Sequence, residues 1–251
     1  MYAAVSLAQN PEAPTLILVH GAGSSHLGWH NQIRHMHEMN IHALDLPGHG
    51  KSTDPVCSTI QDYAAAIEEY INNLPPNDLF IFGHSLGGMI SLQFALTTKH
   101  RLCGVGMICS SAIHPIPAEI AALIQQPDQF STAFDWLIDH LMGPQPSSKW
   151  VEQTRKAVGS IPREVLIADL IAGQGVDLSE QAAGLKIPLL VVSAAQDRFF
   201  DPGVGRKLAD LAPRGEQVVV PNAGHLLPLE QPDVVEKLIR EFVVKHLADQ
   251  K

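Results

Sequence analysis

The chain has 251 residues, of which 45% are apolar and 17% charged, and its formal net charge is −9. This length suits one large domain with a full hydrophobic core, and the composition is that of an ordinary globular protein. The acidic balance argues against nucleic acid and against an anionic membrane as partners, because both require a basic face.

Nothing in the sequence indicates export or insertion into a membrane. Residues 1–7 have no basic region and too short an apolar run for a secretory signal peptide. No stretch of about 18 apolar residues is present. Cys57, Cys103 and Cys109 make an odd count without C-x-x-C spacing, and the last two lie in an apolar run. We therefore expect free thiols and a cytoplasmic location.

Short apolar runs alternate with helical patterns along most of the chain. Strands are predicted at 5–7, 15–20, 41–45, 79–82, 102–109, 188–193 and 217–220. Helices are predicted at 29–39, 59–73, 89–96 and 233–247. Continuous rather than alternating apolar runs indicate strands covered on both faces. The pattern predicts an α/β fold with a mostly parallel central sheet of seven or eight strands, flanked by helices.

One stretch breaks this alternation. Residues 111–184, hereafter the helical segment, contain several helical patterns, repeated prolines and no convincing strand. We interpret it as a helical cap inserted over the sheet. The predicted organisation is a core made of residues 1–110 and 185–251, with a cap at 111–184.

The most informative motif joins a predicted strand to a predicted helix. Gly83, Ser85 and Gly87 form a G-x-S-x-G pattern, which is typical of a nucleophile elbow. In such a turn the serine projects from a strained backbone, and glycines stand where larger side chains would collide. Ser85 is therefore the candidate nucleophile.

A serine hydroxyl needs a base to take its proton and a third group to orient that base. Both are expected after later strands, in the order serine, acid, histidine. Asp197 follows one predicted strand and His225 follows the last. Asp201 is the alternative acid, but it precedes Pro202 at a predicted helix start, where an N-cap role explains it. We favour Asp197.

Two backbone amides are expected to bind the negative oxygen that forms during acyl transfer. One is the N–H of Leu86, directly after the nucleophile. The other should come from the loop after the first long strand, where Gly21 and Gly23 flank Ala22 and let its backbone approach a substrate closely. Ala22 and Leu86 are the predicted oxyanion pair.

The other histidines near these motifs have simpler explanations. His20 and His84 flank the candidate loops and are expected to hydrogen-bond the backbone. His26 and His30 have i, i+4 spacing, but no H-E-x-x-H pattern follows. We expect a solvated helix face there and no metal site.

Together these motifs resemble the α/β-hydrolase fold family over nearly all of the chain except the helical segment. The matching segments, in the order of the family, are 20–23, 45–52, 83–88, Asp197 and 224–232. The resemblance implies Ser85, Asp197 and His225 as nucleophile, acid and base. It also implies that the helical segment is the cap that the family inserts between two strands.

The sequence thus predicts a serine hydrolase without cofactor or metal, acting on small-molecule esters of small or medium acyl groups. The same segments also resemble those of C–C hydrolases, lyases and lactone hydrolases, which use the same triad, and some relatives are small-ligand receptors. A cluster of arginines facing Ser85 would favour an anionic substrate. The physiological substrate and the oligomeric state do not follow from the sequence.

Overall fold

The computed structural model describes residues 1–143 and 146–248. Its centre is a sheet of seven strands in the order β1-β3-β2-β4-β5-β6-β7. The strands are β1 Tyr2–Ser6, β2 Thr15–Val19, β3 Asn40–Asp45, β4 Leu79–His84, β5 Leu102–Ile108, β6 Leu189–Ala194 and β7 Gly215–Val220. Only β1, at one edge, is antiparallel to its neighbour. The predicted α/β class is confirmed, with the smaller of the two predicted strand counts.

Helices cover both faces of this sheet. They are α1 Ile60–Ile71, α2 Leu86–Thr97, α3 Ala118–Gln125, α4 Phe130–Leu141, α5 Ser148–Gly159, α6 Arg163–Ala172, α7 Ser179–Ala182, α8 Pro202–Leu211, α9 Leu227–Glu230 and α10 Pro232–Ala248. None of the helices in the described ranges is long and apolar enough to cross a membrane.

The continuous apolar runs reflect burial on both sides of the sheet. In β2, Ile17 and Val19 pack with α1, α2 and α8, whereas Leu16 and Leu18 pack with α10 and residues 29–39. Because every strand from β2 to β7 runs in the same direction, their carboxyl ends share one edge of the sheet. The loops that carry Ala22, Ser85, Asp197 and His225 all leave from this edge.

The prediction of a helix over residues 29–39 was wrong. The chain forms two 3₁₀ turns in this region, His26–Gly28 and Ile33–His35. Side chains take carbonyls that helical amides would use: Arg34 Nε donates to Trp29 O at 3.0 Å, and His35 Nδ1 lies 2.7 Å from Asn31 O. Such local bonds compete with a helix, although the apolar residues still pack inward.

The helical segment contains α3 to α7 and joins the sheet between β5 and β6. Helices α3, α4 and α6 share a small apolar cluster that includes Leu137, Leu166 and Leu170. Where the chain enters and leaves the segment, Ile113 pairs with Asp177 in an isolated bridge. That the segment is a separate cap domain stays a prediction.

Candidate active site

Ser85 lies at the turn from β4 into α2 and has a strained backbone. Its φ is 54° and its ψ is −123°, a conformation that costs free energy for a residue with a side chain. Neighbouring groups hold it there: its amide donates to Ile108 O at 2.9 Å, and Ser110 Oγ donates to its carbonyl at 2.7 Å. The turn predicted from G-x-S-x-G is therefore present and well supported.

The two glycines of the motif are needed for close backbone contact. A Cβ on Gly83 would overlap the Gly87 carbonyl, and a Cβ on Gly87 would overlap the carbonyls of Val19 and His20. These obstacles are backbone atoms of the central sheet and helix, which cannot move as a flexible side chain can. The glycines let α2 pack directly against the end of β2.

Replacing Gly87 by Ala is expected to lower the free energy of unfolding by about 3 kcal/mol, because the new methyl group overpacks a rigid backbone. Urea denaturation would measure the change. The matched control is Gly159→Ala, at the end of α5, where the nearest atom to a Cβ is Phe134 Cζ at 3.7 Å. We expect that control to be neutral or slightly stabilising. Equal stability of Gly87→Ala and wild type would contradict the prediction.

Ser85, His225 and Asp197 form one continuous chain of hydrogen bonds. His225 Nε2 lies 2.9 Å from Ser85 Oγ, and His225 Nδ1 lies 3.0 and 3.1 Å from the two carboxylate oxygens of Asp197. His225 and Asp197 are buried. The structure thus brings together all three side chains that the sequence proposes as nucleophile, base and acid.

Asp197 lies in an environment that favours its charged form. Burial alone would raise the pKa of this carboxyl. The neighbouring His225 and hydrogen bonds from the amides of Phe199 and Phe200 outweigh burial, so the pKa is lowered. Asp201, the alternative acid, is exposed and caps α8 by accepting from the Gly203 amide at 2.7 Å.

Backbone bonds on both sides hold His225 in place. The Glu230 carboxylate accepts from the Gly224 amide at 2.7 Å and from the Leu226 amide at 3.0 Å. His84 Nε2 donates to the carbonyl of His225 at 2.7 Å. Phe199 lies against the imidazole, with ring centroids 4.7 Å apart. The position of the ring is therefore fixed independently of Ser85 and Asp197.

The loop that carries Ala22 packs against the elbow. A Cβ on Gly21 would lie 3.1 Å from Ser85 Cβ. His20 Nδ1 donates to Gly21 O at 2.8 Å, while its Nε2 accepts from the Leu46 amide at 3.1 Å. Burial lowers the pKa of His20 to about 4, so the ring is neutral as this pairing requires.

Within residues 1–143 and 146–248, the Ala22 and Leu86 amides donate to no protein acceptor.

These groups border a cavity of about 380 Å³ beneath the helical segment. Ala22, Ser85, Leu86 and His225 line its core side. The helical segment contributes mainly apolar side chains: Ile116, Leu137, Leu141, Trp150, Val158, Ile161 and Leu170. Among the described residues that line the cavity there is no lysine or arginine, and the one carboxylate is that of Asp169.

One group of side chains has the spacing of a metal site. Ligand atoms of His84, Cys109 and His225 lie within 4.8 Å of one another, which no other such group among the described residues matches. Both histidines already take part in the hydrogen bonds given above. Burial, followed by the nearby Asp197, raises the pKa of Cys109 well above its usual range, which disfavours the thiolate that a metal needs. The arrangement fits a proton-transfer site better than a metal site.

The predictions for the other histidines near the site were correct only in part. His20 and His84 bond the loop backbone, as predicted. His26 was expected on a solvated helix face, and this was wrong. It is buried, and its Nδ1 lies 2.8 Å from Asp45, a bond that joins the His26–Gly28 turn to the carboxyl end of β3.

The sequence analysis missed Asp169 and Glu230. Asp169 is a detectable anomaly, because it falls on the apolar face that Val165, Leu166 and Leu170 define on α6. A carboxylate on such a face requires partners. Glu230 gives no comparable indication, since a glutamate at the end of a short helix is ordinary.

Several known proteins are similar to this chain over most of its length. A pimeloyl-[acyl-carrier protein] methyl ester esterase of Aeromonas hydrophila is 26% identical over 95% of this chain and 99% of its own length. A thermophilic esterase from Thermogutta terrifontis superposes with a TM-score of 0.84 at 24% identity, covering 98% of this chain and 93% of its own. The enol-lactonase from Burkholderia xenovorans LB400 has a TM-score of 0.84 at 20% identity, covering 97% and 96%.

The sequence model of the α/β hydrolase fold matches residues 14–232, which include every strand from β2 to β7 and all of the candidate site. The chain belongs to the α/β-hydrolase fold family.

Proposed function

We propose that the protein is a carboxylesterase that hydrolyses uncharged esters of small or medium acyl groups. The observation that carries this proposal is the unbroken hydrogen-bonded path from Ser85 through His225 to Asp197 beside an apolar cavity. The names of esterases among its relatives support the same reaction class.

In the proposed reaction, Ser85 Oγ attacks the ester carbonyl while His225 Nε2 takes its proton. Asp197 holds the imidazole in the tautomer that presents Nε2 as an acceptor and stabilises the imidazolium that forms. The Ala22 and Leu86 amides bind the oxyanion. His225 then protonates the leaving alcohol, and water hydrolyses the acyl-enzyme by the same steps. No cofactor or metal takes part in this proposal.

The cavity favours an uncharged acyl group. Its volume of about 380 Å³ lies near the lower end of the range of about 300–1,000 Å³ for small-molecule sites. A substrate carboxylate would find no lysine or arginine among the described lining residues, whose one carboxylate is that of Asp169. Arg155, an arginine of the helical segment, is exposed and pairs with Asp135. These features count against lyase reactions on anionic substrates.

We further propose that the helical segment is a cap over the active site. It supplies most of the apolar wall opposite Ser85, so its side chains would select the acyl chain. The name of the Aeromonas relative makes methyl esters of medium-length acyl groups a first class to test. Lactones are the second class, since ring opening needs the same nucleophile and oxyanion amides. A cytoplasmic location stays a prediction.

A panel of esters tests the proposal and the charge preference together. We expect short and medium p-nitrophenyl esters to turn over faster than long ones. The p-nitrophenyl isocaproate ester should exceed its isosteric hydrogen succinate ester in kcat/KM by about tenfold or more, because the cavity leaves the carboxylate unpaired.

Three results would contradict parts of the proposed function. A serine-directed phosphonate that labels Ser85, combined with no turnover of any ester or lactone, would contradict the esterase. Very slow turnover with a ligand-dependent rise in Tm would indicate a receptor of the same fold. A preference for the succinate ester would contradict the neutral acyl group.

A further inference from the structure

Asp169 is a buried carboxylate that joins the helical segment to the core. It lies on α6 and is only 1% exposed. Three donors surround it, each from a different part of the core. The Gly23 amide and His49 Nε2 both lie 2.8 Å from Oδ2, and the Tyr63 hydroxyl donates to Oδ1 at 2.6 Å. Burying a carboxylate without such partners costs free energy. The three donors therefore account for the position of Asp169 inside the protein.

The partners of Asp169 place donors against both of its oxygens and so fix the carboxylate. Both ring nitrogens of His49 face acceptors, because Nδ1 lies 3.0 Å from Pro47 O and Nε2 faces Asp169. Burial alone would lower the pKa of His49, but the bond and the charge of Asp169 outweigh it and raise this pKa. Burial and the same carboxylate raise the pKa of Tyr63, so its hydroxyl donates.

The contact with Gly23 places Asp169 next to the predicted oxyanion loop. Gly23 has a φ of +59°, and a Cβ there would lie 2.8 Å from Leu166, which also belongs to α6. The helical segment therefore touches this glycine through both a hydrogen bond and packing.

Ala22 lies between two fixed points. Its N–H belongs to the same peptide unit as Gly21 O, which accepts from His20 Nδ1 at 2.8 Å. The next peptide unit carries the Gly23 N–H, which Asp169 holds. The rings of His20 and His49 lie against each other, with centroids 4.9 Å apart. The direction of the Ala22 N–H is thus determined by a core histidine on one side and by Asp169 on the other.

We propose that Asp169 is a positioning residue that holds the Gly23 amide and, through it, aims the Ala22 N–H at the developing oxyanion. This inference rests on the proposed function, in which Ala22 is an oxyanion donor. It makes the helical segment a contributor to transition-state stabilisation as well as to substrate selection. Movement of α6 away from the core would release the oxyanion loop.

The experiment compares Asp169→Ala, Asp169→Asn and the control Asp135→Asn, which changes an exposed carboxylate of the same segment. Asp169→Ala should lower kcat about 10- to 100-fold with little change in KM, as expected for a displaced oxyanion donor. Asparagine retains an oxygen for the Gly23 amide, and the Tyr63 hydroxyl can accept from its NH₂. Asp169→Asn should therefore recover kcat to within about fivefold of wild type. The control should match wild type.

A second measurement is independent of turnover. Hydrogen exchange of the Gly23 amide, followed by NMR, should become faster in Asp169→Ala and stay slow in Asp169→Asn and Asp135→Asn. If Asp169→Ala does not fold because the buried His49 imidazole is left without its partner, the double variant Asp169→Leu with His49→Leu removes both members of the pair. It should show the same fast exchange and low kcat.

Unchanged Gly23 exchange, or a rise in KM at constant kcat, would overturn the positioning role. This result differs from failure of the proposed function, in which wild type itself would hydrolyse no ester.

Discussion

Replacing Ser85 by Ala is expected to lower kcat/KM for a p-nitrophenyl ester by about 10⁴-fold or more. The Ser85 hydroxyl is the nucleophile of the proposed reaction, and without it His225 Nε2, 2.9 Å away in the wild type, has no serine proton to accept. The oxyanion amides and the cavity remain, so a small rate above that in water should persist. Steady-state kinetics would measure the loss of turnover, and intact-mass detection would measure the loss of labelling by a serine-directed phosphonate.

Ser91→Ala is the matched control for this prediction. Ser91 is fully buried on α2, only six positions further along the chain, and its hydroxyl donates to Gly87 O at 2.7 Å. Its loss should change kcat/KM by no more than about twofold, since this serine does not line the cavity. Labelling of Ser85→Ala, or turnover similar to wild type, would show that another residue is the nucleophile.

Much of the site could be predicted from the sequence because its chemistry is local. Gly83 and Gly87 bracket Ser85 within five residues, and the overlap of a Gly83 Cβ with the Gly87 carbonyl lies within that short turn. Asp197 lies in the loop after β6, and His225 lies in the loop after β7. Since parallel strands end at one edge of a sheet, position in the chain was sufficient to bring these distant side chains together.

The rest depends on tertiary contacts that a single sequence does not encode in a recognisable pattern. The segment 29–39 has helical spacing of its apolar residues, yet Arg34 and His35 bond nearby carbonyls and the chain forms 3₁₀ turns. Asp169 contacts Gly23 across 146 residues. Its partners become visible only when α6 is placed over the core. For the same reason the acyl pocket could not be predicted.

Replacing Asp197 by Asn is expected to lower kcat by about 10⁴-fold while leaving the fold and KM nearly unchanged. The amide NH₂ would face His225 Nδ1, which would then have to accept a hydrogen bond. The proton would move to Nε2, where it blocks acceptance of the Ser85 proton. Asp197 does not line the cavity, so substrate binding should persist.

Asp201→Asn decides between the two candidate acids. Asparagine is as good an N-cap as aspartate, so the bond to the Gly203 amide at the start of α8 can be retained. This variant should keep kcat within about twofold of wild type, and circular dichroism should show both variants folded. If Asp201→Asn lost activity and Asp197→Asn kept it, the orienting acid would be Asp201, and a rearrangement would have to bring it to His225. The lowered pKa of Asp197 and its two contacts with His225 Nδ1 argue for the first result, because they describe a carboxylate already ionised and aimed at the imidazole.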